Sequence, residues 1–406
     1  MRIRFIHGYF YPDLSAGSQI ITDIAFYLSS QGHQVSVITS RGRYAGGGQS
    51  SFSAKEIVKG VSIRRVWSPS LGKGSTLERF LDQTCFAVGA TIAALFARRA
   101  DTVVVLTNPP LLAVLGLVLR RLKGERFVYV VMDLYPDVAI RAGLLKARSI
   151  SARMMSWVTG MTIKGADRVV VLGTCMLEEV IGYGVDPRKA KIIHNWADEK
   201  SIRPLDPNEN RFRKAHGLEG KFVIMYSGNM GVVHQFEDIL EVARRLRGRS
   251  DICFVFIGDG VRHGELVDFQ HRYGLKSILL LPYQDRSCLG ESLGAGDLHF
   301  VSLRNGFEGL VVPSKVYGIM AAARPVVYQG SQKSDIGYMI AEKGIGVIVS
   351  EGDVNALESA ILKLYSDRAL TEILGKSARA VLEEEYSMQR AMDAYEDIFI
   401  SAGLQP

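Results

Sequence analysis

The sequence is poor in cysteine and in long hydrophobic runs. Its four cysteines stand far apart, at Cys85, Cys175, Cys253 and Cys288. Because no two of them form a CxxC pair, neither a zinc site nor a disulfide framework is expected, and the pattern fits a reducing cytoplasm. The longest charge-free apolar stretch, residues 85–97, is shorter than the roughly 18–20 residues that span a bilayer. No secretory signal is recognisable at residues 1–12. We therefore expect a cytoplasmic protein that is either soluble or peripheral on a membrane.

The chain also lacks the compositional bias of disordered or fibrous proteins. Hydrophobic residues make up 47% of its 406 residues and charged residues 22%, which is close to the globular average. This length accommodates two domains with full cores. The dinucleotide fingerprint GxGxxG is absent after the first strand, which argues against an NAD-dependent dehydrogenase.

Positive charge is concentrated in the first half of the chain. Residues 1–200 carry a net charge of +11 and residues 201–406 a net charge of −4, which indicates different partners for the two halves. No RNA-binding motif or zinc finger accompanies the basic residues, so nucleic acid is not expected as a partner. An anionic membrane surface is the better candidate, through pairs such as Arg98-Arg99 and Arg120-Arg121 at the ends of predicted helices. A solvated basic face without a partner is the alternative.

Short apolar runs alternate with longer amphipathic stretches along the whole chain. Strands are predicted at 3–6, 34–39, 102–107, 126–132, 168–172 and 191–194, and again at 221–227, 251–257, 277–281, 298–302, 325–328 and 346–349. Strands that are apolar on both faces and alternate with helices predict the α/β class, here two doubly wound, Rossmann-like parallel sheets in tandem. A cluster of Pro and Asn at 198–210 marks the joint. The predicted domains are residues 1–200 and 201–382, with a C-terminal helix at 383–406 crossing back to the first domain.

Three glycine-containing turns in the second half are candidates for ligand binding. YSGNMG (226–231) and FIGDG (256–260) each follow a predicted strand, and such a turn before a helix suits a phosphate, although it is also a common structural device. Asp259 either holds its own turn or reaches a ligand hydroxyl. In FEGLVVPSK (307–315), Lys315 lies in the first turn of a helix, where a cation is unfavourable. A bound anion would explain that lysine.

The order of these motifs resembles the bacterial family-4 glycosyltransferases of the GT-B fold, in their surface-polysaccharide branch. In the first half, FYPDLSAGSQ, LTNPP, VVMDLYPDVA and HNWAD agree with the same family, so that the resemblance covers residues 3–395. It implies a retaining transfer of a sugar from a nucleotide-sugar donor, usually a UDP-sugar, without a required metal or cofactor. The second domain would hold the donor. The first would hold a glycan or glycolipid acceptor, in this branch commonly a polyprenyl-diphosphate-linked sugar on the inner face of the cell membrane.

The resemblance also implies roles for individual residues. Around the donor diphosphate it places the following: Gly228, Asn229 and Gly231, the N–H groups of Gly309 and Leu310, Ser314 and Lys315, and the small residues Gly17 and Ser18 of a closing loop. Tyr283 falls at the base pocket. Asp133 and Glu308 are the catalytic candidates, Asp133 as a sugar or acceptor contact and base, and Glu308 as a contact to a sugar hydroxyl.

Three positions depart from the family pattern. The second of two glutamates that the family usually carries is missing, since Val316 or, by alignment on the helix, Gly318 stands in its place. The usual arginine after the first glycine turn is absent, so Lys315 and Arg304 are expected to neutralise the diphosphate. A frequent histidine of the first domain is replaced by Met132.

Two other functions remain open from the sequence. A UDP-sugar 2-epimerase shares the architecture and the donor, but would isomerise the donor without an acceptor. A non-catalytic scaffold at the membrane surface, with a relict nucleotide site, is the second alternative, and the missing glutamate is its support.

Overall fold

The computed structural model of the protein describes residues 1–13, 15–42, 52–69, 76–107 and 109–401. These residues form two compact units. The first comprises Met1–His194 together with the end of the chain from Met392, and the second is Asn195–Ala391. The sequence placed the joint at 198–210 and the start of the returning helix at 383. Leu14 and Asn108, which belong to the FYPDLSAGSQ and LTNPP motifs, lie outside the described residues.

The first unit is an eight-stranded sheet with helices between its strands. Its elements in chain order are β1 (Arg2–Ile6), α1 (Ala16–Ser30), β2 (Gln34–Ser40), β3 (Lys55–Val58), β4 (Val61–Val66), α2 (Thr76–Leu95), β5 (Thr102–Leu106), α3 (Val114–Lys123), β6 (Arg126–Val130), α4 (Asp137–Arg141), α5 (Ile150–Gly165), β7 (Arg168–Val171), α6 (Thr174–Gly182) and β8 (Ala190–Ile192). The strand order is β3-β4-β2-β1-β5-β6-β7-β8. All pairs are parallel except β3 with β4, which are antiparallel.

The second unit is a six-stranded, wholly parallel sheet. Its elements are α7 (Arg211–Ala215), β9 (Phe222–Ser227), α8 (Glu237–Arg245), β10 (Ile252–Ile257), α9 (His263–Tyr273), β11 (Ile278–Leu281), α10 (Leu289–Gly294), β12 (Leu298–Ser302), α11 (Lys315–Ala321), β13 (Val326–Gln329), α12 (Asp335–Lys343), β14 (Gly346–Val349), α13 (Val354–Ser366) and α14 (Arg368–Glu385). The strand order is β11-β10-β9-β12-β13-β14. The last helix, α15 (Met388–Ser401), runs from this unit into the first.

The strands of the second sheet are buried on both faces, as their apolar sequences predicted. Phe222, Ile224 and Tyr226 of β9 pack in one core with helices α8 and α13. The alternate residues Val223 and Met225 face the other side and pack with α7. Because successive side chains of a strand point to opposite faces, only a strand covered on both sides is apolar at every position. The predicted pair of doubly wound parallel sheets is confirmed.

Some elements were not predicted. The pair β3–β4 was missed because Arg64 and Arg65, which lie in β4, interrupt its apolar pattern. Helix α5 was missed because apolar residues lie all around it. The C-terminal helix predicted from residue 383 begins at Met388 as α15, and α14 ends just before it at Glu385.

None of the described helices combines the length and the hydropathy needed to cross a lipid bilayer.

Candidate active site

The candidate donor loops of the second unit follow two neighbouring strands. β9 and β12 pair in parallel, with Ile224 opposite Leu298, and the strand order reverses between them. The carboxyl ends of strands at such a reversal form the crevice in which open α/β sheets bind ligands. The turn with Gly228 follows β9 and the segment from Arg304 to Lys315 follows β12. Two of the three glycine-containing segments that the sequence singled out therefore emerge at the same switch point.

The glycine turns after β9 and β10 interlock through their backbones. A Cβ atom on Gly258, which has φ +133°, would lie 2.1 Å from the carbonyl oxygen of Gly228. A Cβ atom on Gly260 would lie 2.4 Å from the oxygen of Met230. The Met230 N–H donates to the Asp259 carbonyl oxygen at 2.8 Å. These glycines are needed for close backbone approach, which fixes the position of the Gly228 turn.

The side chain of Asp259 holds its own turn. Its Oδ1 accepts a hydrogen bond from the Gly260 N–H at 2.7 Å, which is the structural one of its two predicted roles.

Lys315 directs a buried amine at the Gly228 turn. A Cβ atom on Gly228 would lie 3.3 Å from Lys315 Cε and 3.5 Å from Nζ. The Nζ atom lies 3.6 Å from the centre of the Tyr226 ring and has no hydrogen-bond partner among the described residues. Burial lowers the pKa of Lys315 well below its usual range. A buried amine without a partner is costly to the folded state, and an anion at the turn would both satisfy it and raise its pKa again.

Two further residues shape the electrostatics of this turn. His234 is buried, and its Nδ1 lies 2.6 Å from the carbonyl oxygen of Ser302. Burial, assisted by the charge of Lys315, lowers the pKa of His234 well below its usual value, so the ring is neutral. Arg262 is bound to Glu237 and Glu265 and donates to the His234 carbonyl oxygen at 2.6 Å. The charge of Arg262 is therefore neutralised by these two carboxylates.

The loop that carries Glu308 is internally hydrogen bonded. Glu308 Oε2 accepts from the Gly306 N–H at 2.7 Å, and Gly309 adopts φ +72°. The N–H of Leu310 donates to the Phe307 carbonyl oxygen at 3.1 Å. The implied role of Leu310 as an N–H donor to the diphosphate would therefore require this bond to be exchanged, whereas no described acceptor takes the N–H of Gly309. Ser314 directly precedes α11 and makes no side-chain capping bond to it.

Tyr283 and Arg304 follow β11 and β12, two strands that end at the same edge of the second sheet with β10 and β9 between them. The Tyr283 hydroxyl donates to the Asp259 carbonyl oxygen at 3.3 Å, which joins the segment after β11 to the glycine turn after β10. Arg304 lies 4.0 Å from Glu351 and is largely exposed. Its charge thus has a carboxylate beside it, unlike that of Lys315.

In the first unit, Gly17 and Ser18 begin α1 just after the loop that follows β1. A Cβ atom on Gly17 would lie 3.1 Å from Nε2 of His7, a buried histidine whose pKa is lowered by burial. The Ser18 hydroxyl is buried and donates to the Asp13 carbonyl oxygen at 3.2 Å. Both small residues therefore have a local packing role in addition to the one implied by the resemblance.

Asp133 follows β6 at the carboxyl edge of the first sheet. The Thr107 Oγ1 accepts from the N–H groups of Met132 and Asp133, at 3.1 and 3.3 Å. The carboxylate itself makes no hydrogen bond with a described residue, and burial raises the pKa of Asp133 to about 6. A half-buried carboxylate with such a pKa can accept a proton near neutral pH.

The basic pairs of the first unit lie at the opposite, amino-terminal edge of the sheet. Arg98 and Arg99 precede β5, and Arg120 and Arg121 precede β6. Arg99 donates to the Gly124 carbonyl oxygen at 3.0 Å. The Nε atom of Arg120 donates to both carboxylate oxygens of Asp167, at 2.8 and 3.0 Å. Some of the arginines that the sequence assigned to membrane binding therefore make hydrogen bonds within the first unit instead.

Sequence reasoning missed Tyr226 and His234 as parts of the site. Tyr226 begins the YSGNMG motif and His234 lies three residues beyond its end, but their positions around Lys315 depend on tertiary packing. Within the described residues, His, Cys, Asp and Glu side chains form no group of three that could hold a metal ion.

Both halves of the chain match known protein families. Residues 16–196 match the glycosyl transferase 4-like domain, and residues 221–367 match the glycosyl transferases group 1 domain.

Two bacterial relatives match most of the chain. WbjE of Pseudomonas aeruginosa, a protein named as a glycosyltransferase, is 33% identical over 306 residues, which cover 74% of each chain. WcaI of Escherichia coli K12, named for glycosyl transfer in colanic acid biosynthesis, is 27% identical over 86% of this chain and 88% of its own.

Solved structures share the fold across nearly the whole chain. Sucrose-phosphate synthase from Thermosynechococcus elongatus superposes with a TM-score of 0.78 at 14% identity, covering 98% of this chain and 99% of its own. HepE from Anabaena, solved in complex with UDP-glucose, superposes with a TM-score of 0.74 at 15% identity, covering 99% and 100%. These likenesses confirm the GT-B fold.

Proposed function

The chain belongs to the family-4 and group 1 glycosyltransferases, and from this premise we propose that it transfers a sugar from a UDP-sugar to a surface-glycan precursor with retention of anomeric configuration. The observation that carries the proposal is the buried, unpartnered amine of Lys315 at the Gly228 turn. The complex of the structural neighbour HepE with UDP-glucose supports uridine diphosphate as the donor's leaving group. The relative WcaI is named as a colanic acid biosynthesis glycosyl transferase, which supports a surface glycan as the product.

Charge development explains why the amine matters for rate. When the bond between the anomeric carbon and the phosphate oxygen breaks, negative charge grows on the departing UDP. A cation that is already in place at that oxygen stabilises the transition state more than the ground state. The Lys315 amine already lies against Tyr226 and Gly228, so little reorganisation would be needed.

The acceptor hydroxyl attacks the anomeric carbon from the face that UDP leaves. Its oxygen forms the new glycosidic bond as the bond to the phosphate breaks. Its proton passes to the departing phosphate oxygen or to Asp133, whose pKa of about 6 lets it take a proton near neutral pH. Glu308 contacts a sugar hydroxyl, and no residue is assigned as a covalent nucleophile.

We further propose that the enzyme acts on the inner face of the cytoplasmic membrane, on a polyprenyl-diphosphate-linked acceptor and without a metal cofactor. The net charge of +11 on residues 1–200 supports attraction to anionic lipid. The role of the metal ion in other sugar transfers, neutralising the diphosphate, falls here to Lys315.

A thermal-shift panel tests the donor assignment. UDP and UDP-sugars should raise the unfolding temperature of the protein, because a ligand at about 100 times its dissociation constant adds roughly 2.7 kcal/mol to stability. GDP-sugars, ADP and NAD should have little effect. Stabilisation by NAD or ADP alone would contradict the proposal.

A further inference from the structure

Helix α5 presents large apolar side chains on the surface that faces away from the sheet. Ile150 is 86% exposed, Met154 57% and Trp157 66%, and Leu144, just before the helix, is 73% exposed. Such residues are rarely exposed together on a monomeric surface, where a contiguous apolar patch marks an interaction site.

The spacing places the three helix residues on one side of α5. Positions 150, 154 and 157 follow the i, i+4, i+7 pattern of a single helical face. The opposite face, with Ala152, Thr159 and Ile163, is buried in the first unit. The outer face of a helix on an α/β sheet is normally polar. Burial within the unit therefore does not explain the apolar side chains of the outer face.

The same segment is purely basic. Residues 138–166 contain five Lys or Arg residues and no Asp or Glu. Arg141, Lys146, Arg148 and Arg153 are exposed, and none of them has an ion-pair partner among the described residues. Arg120, by contrast, is held by Asp167. Exposed apolar side chains together with unpaired cations of the same segment complement an anionic lipid surface. At such a surface, Trp occupies the interface and Arg side chains reach the headgroups.

The topology puts this surface beside Asp133. The chain leaves β6 at the carboxyl edge of the sheet, passes Asp133, and reaches Leu144 and Ile150 before α5 runs back towards the start of β7. The exposed end of α5 is therefore at the edge that carries the proposed acceptor residue. The pairs Arg98-Arg99 and Arg120-Arg121 lie at the other edge.

We propose that residues 144–157, the α5 surface, dock the first unit onto an anionic lipid bilayer. Ile150 and Met154 enter the acyl boundary, Trp157 lies at the interface, and Arg148 and Arg153 contact lipid phosphates. The inference rests on the proposed function for the choice of a bilayer, since a lipid-linked acceptor must be met at the membrane. It differs from the sequence-based expectation, which assigned the contact to the arginine pairs.

Co-flotation with lipid vesicles tests the proposal on the full-length protein. The wild type should float with vesicles of phosphatidylcholine containing about 30% phosphatidylglycerol and not with phosphatidylcholine alone. The apolar triple variant Ile150→Ser, Met154→Ser, Trp157→Ser should lower the partition coefficient about tenfold or more. A blue shift of tryptophan emission on vesicle binding should disappear in Trp157→Phe.

Two charge-matched variants locate the contact. Arg148→Glu with Arg153→Glu should weaken flotation about tenfold or more, because each cation near the surface contributes to binding. Arg98→Glu with Arg121→Glu changes the net charge equally at the opposite edge and should leave most of the binding intact. This comparison remains decisive if the apolar variant fails to fold.

Stabilisation by UDP, measured on every variant, separates this inference from the proposed function. Retained UDP stabilisation with lost flotation supports the α5 surface. Equal losses of flotation in the two charge variants, or flotation unaffected by both, would overturn it. A wild type that ignores vesicles but forms dimers broken by the apolar variant would overturn it as well, because the occupant would then be a second copy of the chain.

Discussion

Lys315 and Asp133 are both shielded from water, and in both the shielding favours the uncharged form. The consequence differs with the ligand that each one meets. A diphosphate bound beside Lys315 would favour the charged amine, so we expect UDP binding to be coupled to proton uptake. A sugar hydroxyl bound beside Asp133 would face a carboxylate that can accept its proton near neutral pH.

Replacing Lys315 should weaken UDP binding. Lys315→Ala removes one charge-assisted contact, worth about 1.5–3 kcal/mol, which corresponds to about a ten- to hundredfold rise in the dissociation constant of UDP. Isothermal titration calorimetry measures this constant. Lys276→Ala, which removes an exposed lysine at the amino end of β11, is the matched control and should bind UDP as the wild type does. Unchanged UDP affinity in a folded Lys315→Ala protein would exclude the anion site.

Replacing Asp133 should stabilise the protein while lowering its activity. The pKa of Asp133 is about 6 in the folded protein and about 3.9 when unfolded. Between these values the folded state binds more protons, so the stability that this group contributes falls as the pH rises. Asp133→Asn removes that loss and should raise the free energy of unfolding by about 1–2 kcal/mol above about pH 6, with little gain near about pH 4.

Chemical denaturation at the two pH values measures the effect of Asp133→Asn. Asp137→Asn is the contrasting variant, because the Asp137 carboxylate accepts a hydrogen bond from Tyr183 at 2.5 Å and should not gain stability when replaced. A loss of stability in Asp133→Asn at neutral pH would show that the carboxylate has a structural partner.

At the scale of elements, the position of the Gly228 turn depends on the neighbouring turn after β10. The turns after β9 and β10 touch through the Gly228 carbonyl and Gly258. A side chain at Gly258 would push the β9 turn away from its position against Lys315.

Gly258→Ala should therefore destabilise the second unit and abolish UDP binding. The added Cβ would lie 2.1 Å from a carbonyl oxygen, on a backbone with φ +133°, so the cost should be about 1–3 kcal/mol or more. Thermal unfolding with and without UDP measures both effects. Gly264→Ala adds a methyl group where no atom lies within 4 Å and should keep full UDP binding. Normal UDP affinity in Gly258→Ala would contradict the proposed role of the turn.

Helices and strands could be predicted from the sequence where their burial produces a regular pattern of apolar residues. Strands such as β9 and β12 are apolar on both faces, so their bounds were predicted within about two residues. Helix α5 was missed because its outer face is apolar too, and β4 was missed because Arg65 is paired with Glu56 inside the unit. Lys315 could be singled out because a lysine at a helix start conflicts with the dipole. The packing of Lys315 on Tyr226 and beside His234 could not be predicted, because these contacts join segments that lie about 80–90 residues apart in the sequence.

At the scale of the whole molecule, charge and topology divide the tasks between the two units. The acidic half carries the buried, unpartnered amine of Lys315 at its switch point, which suits a diphosphate. The basic half carries unpaired cations and apolar side chains at the edge that bears Asp133. This arrangement favours a water-soluble donor on the second unit and a lipid-bound acceptor on the first. An epimerase acts on the donor alone and would not need a surface for a lipid-bound acceptor.

Sugar transfer followed by nuclear magnetic resonance tests the account most directly. The protein is incubated in EDTA with the UDP-sugar that stabilises it, first alone and then with lipid-linked acceptor from a membrane extract. We expect no epimer of the donor in the first incubation. In the second we expect UDP released together with a glycoside that keeps the anomeric configuration of the donor. An epimer formed from the donor alone, a product of inverted configuration, or activity that returns only on adding magnesium or manganese would contradict the account.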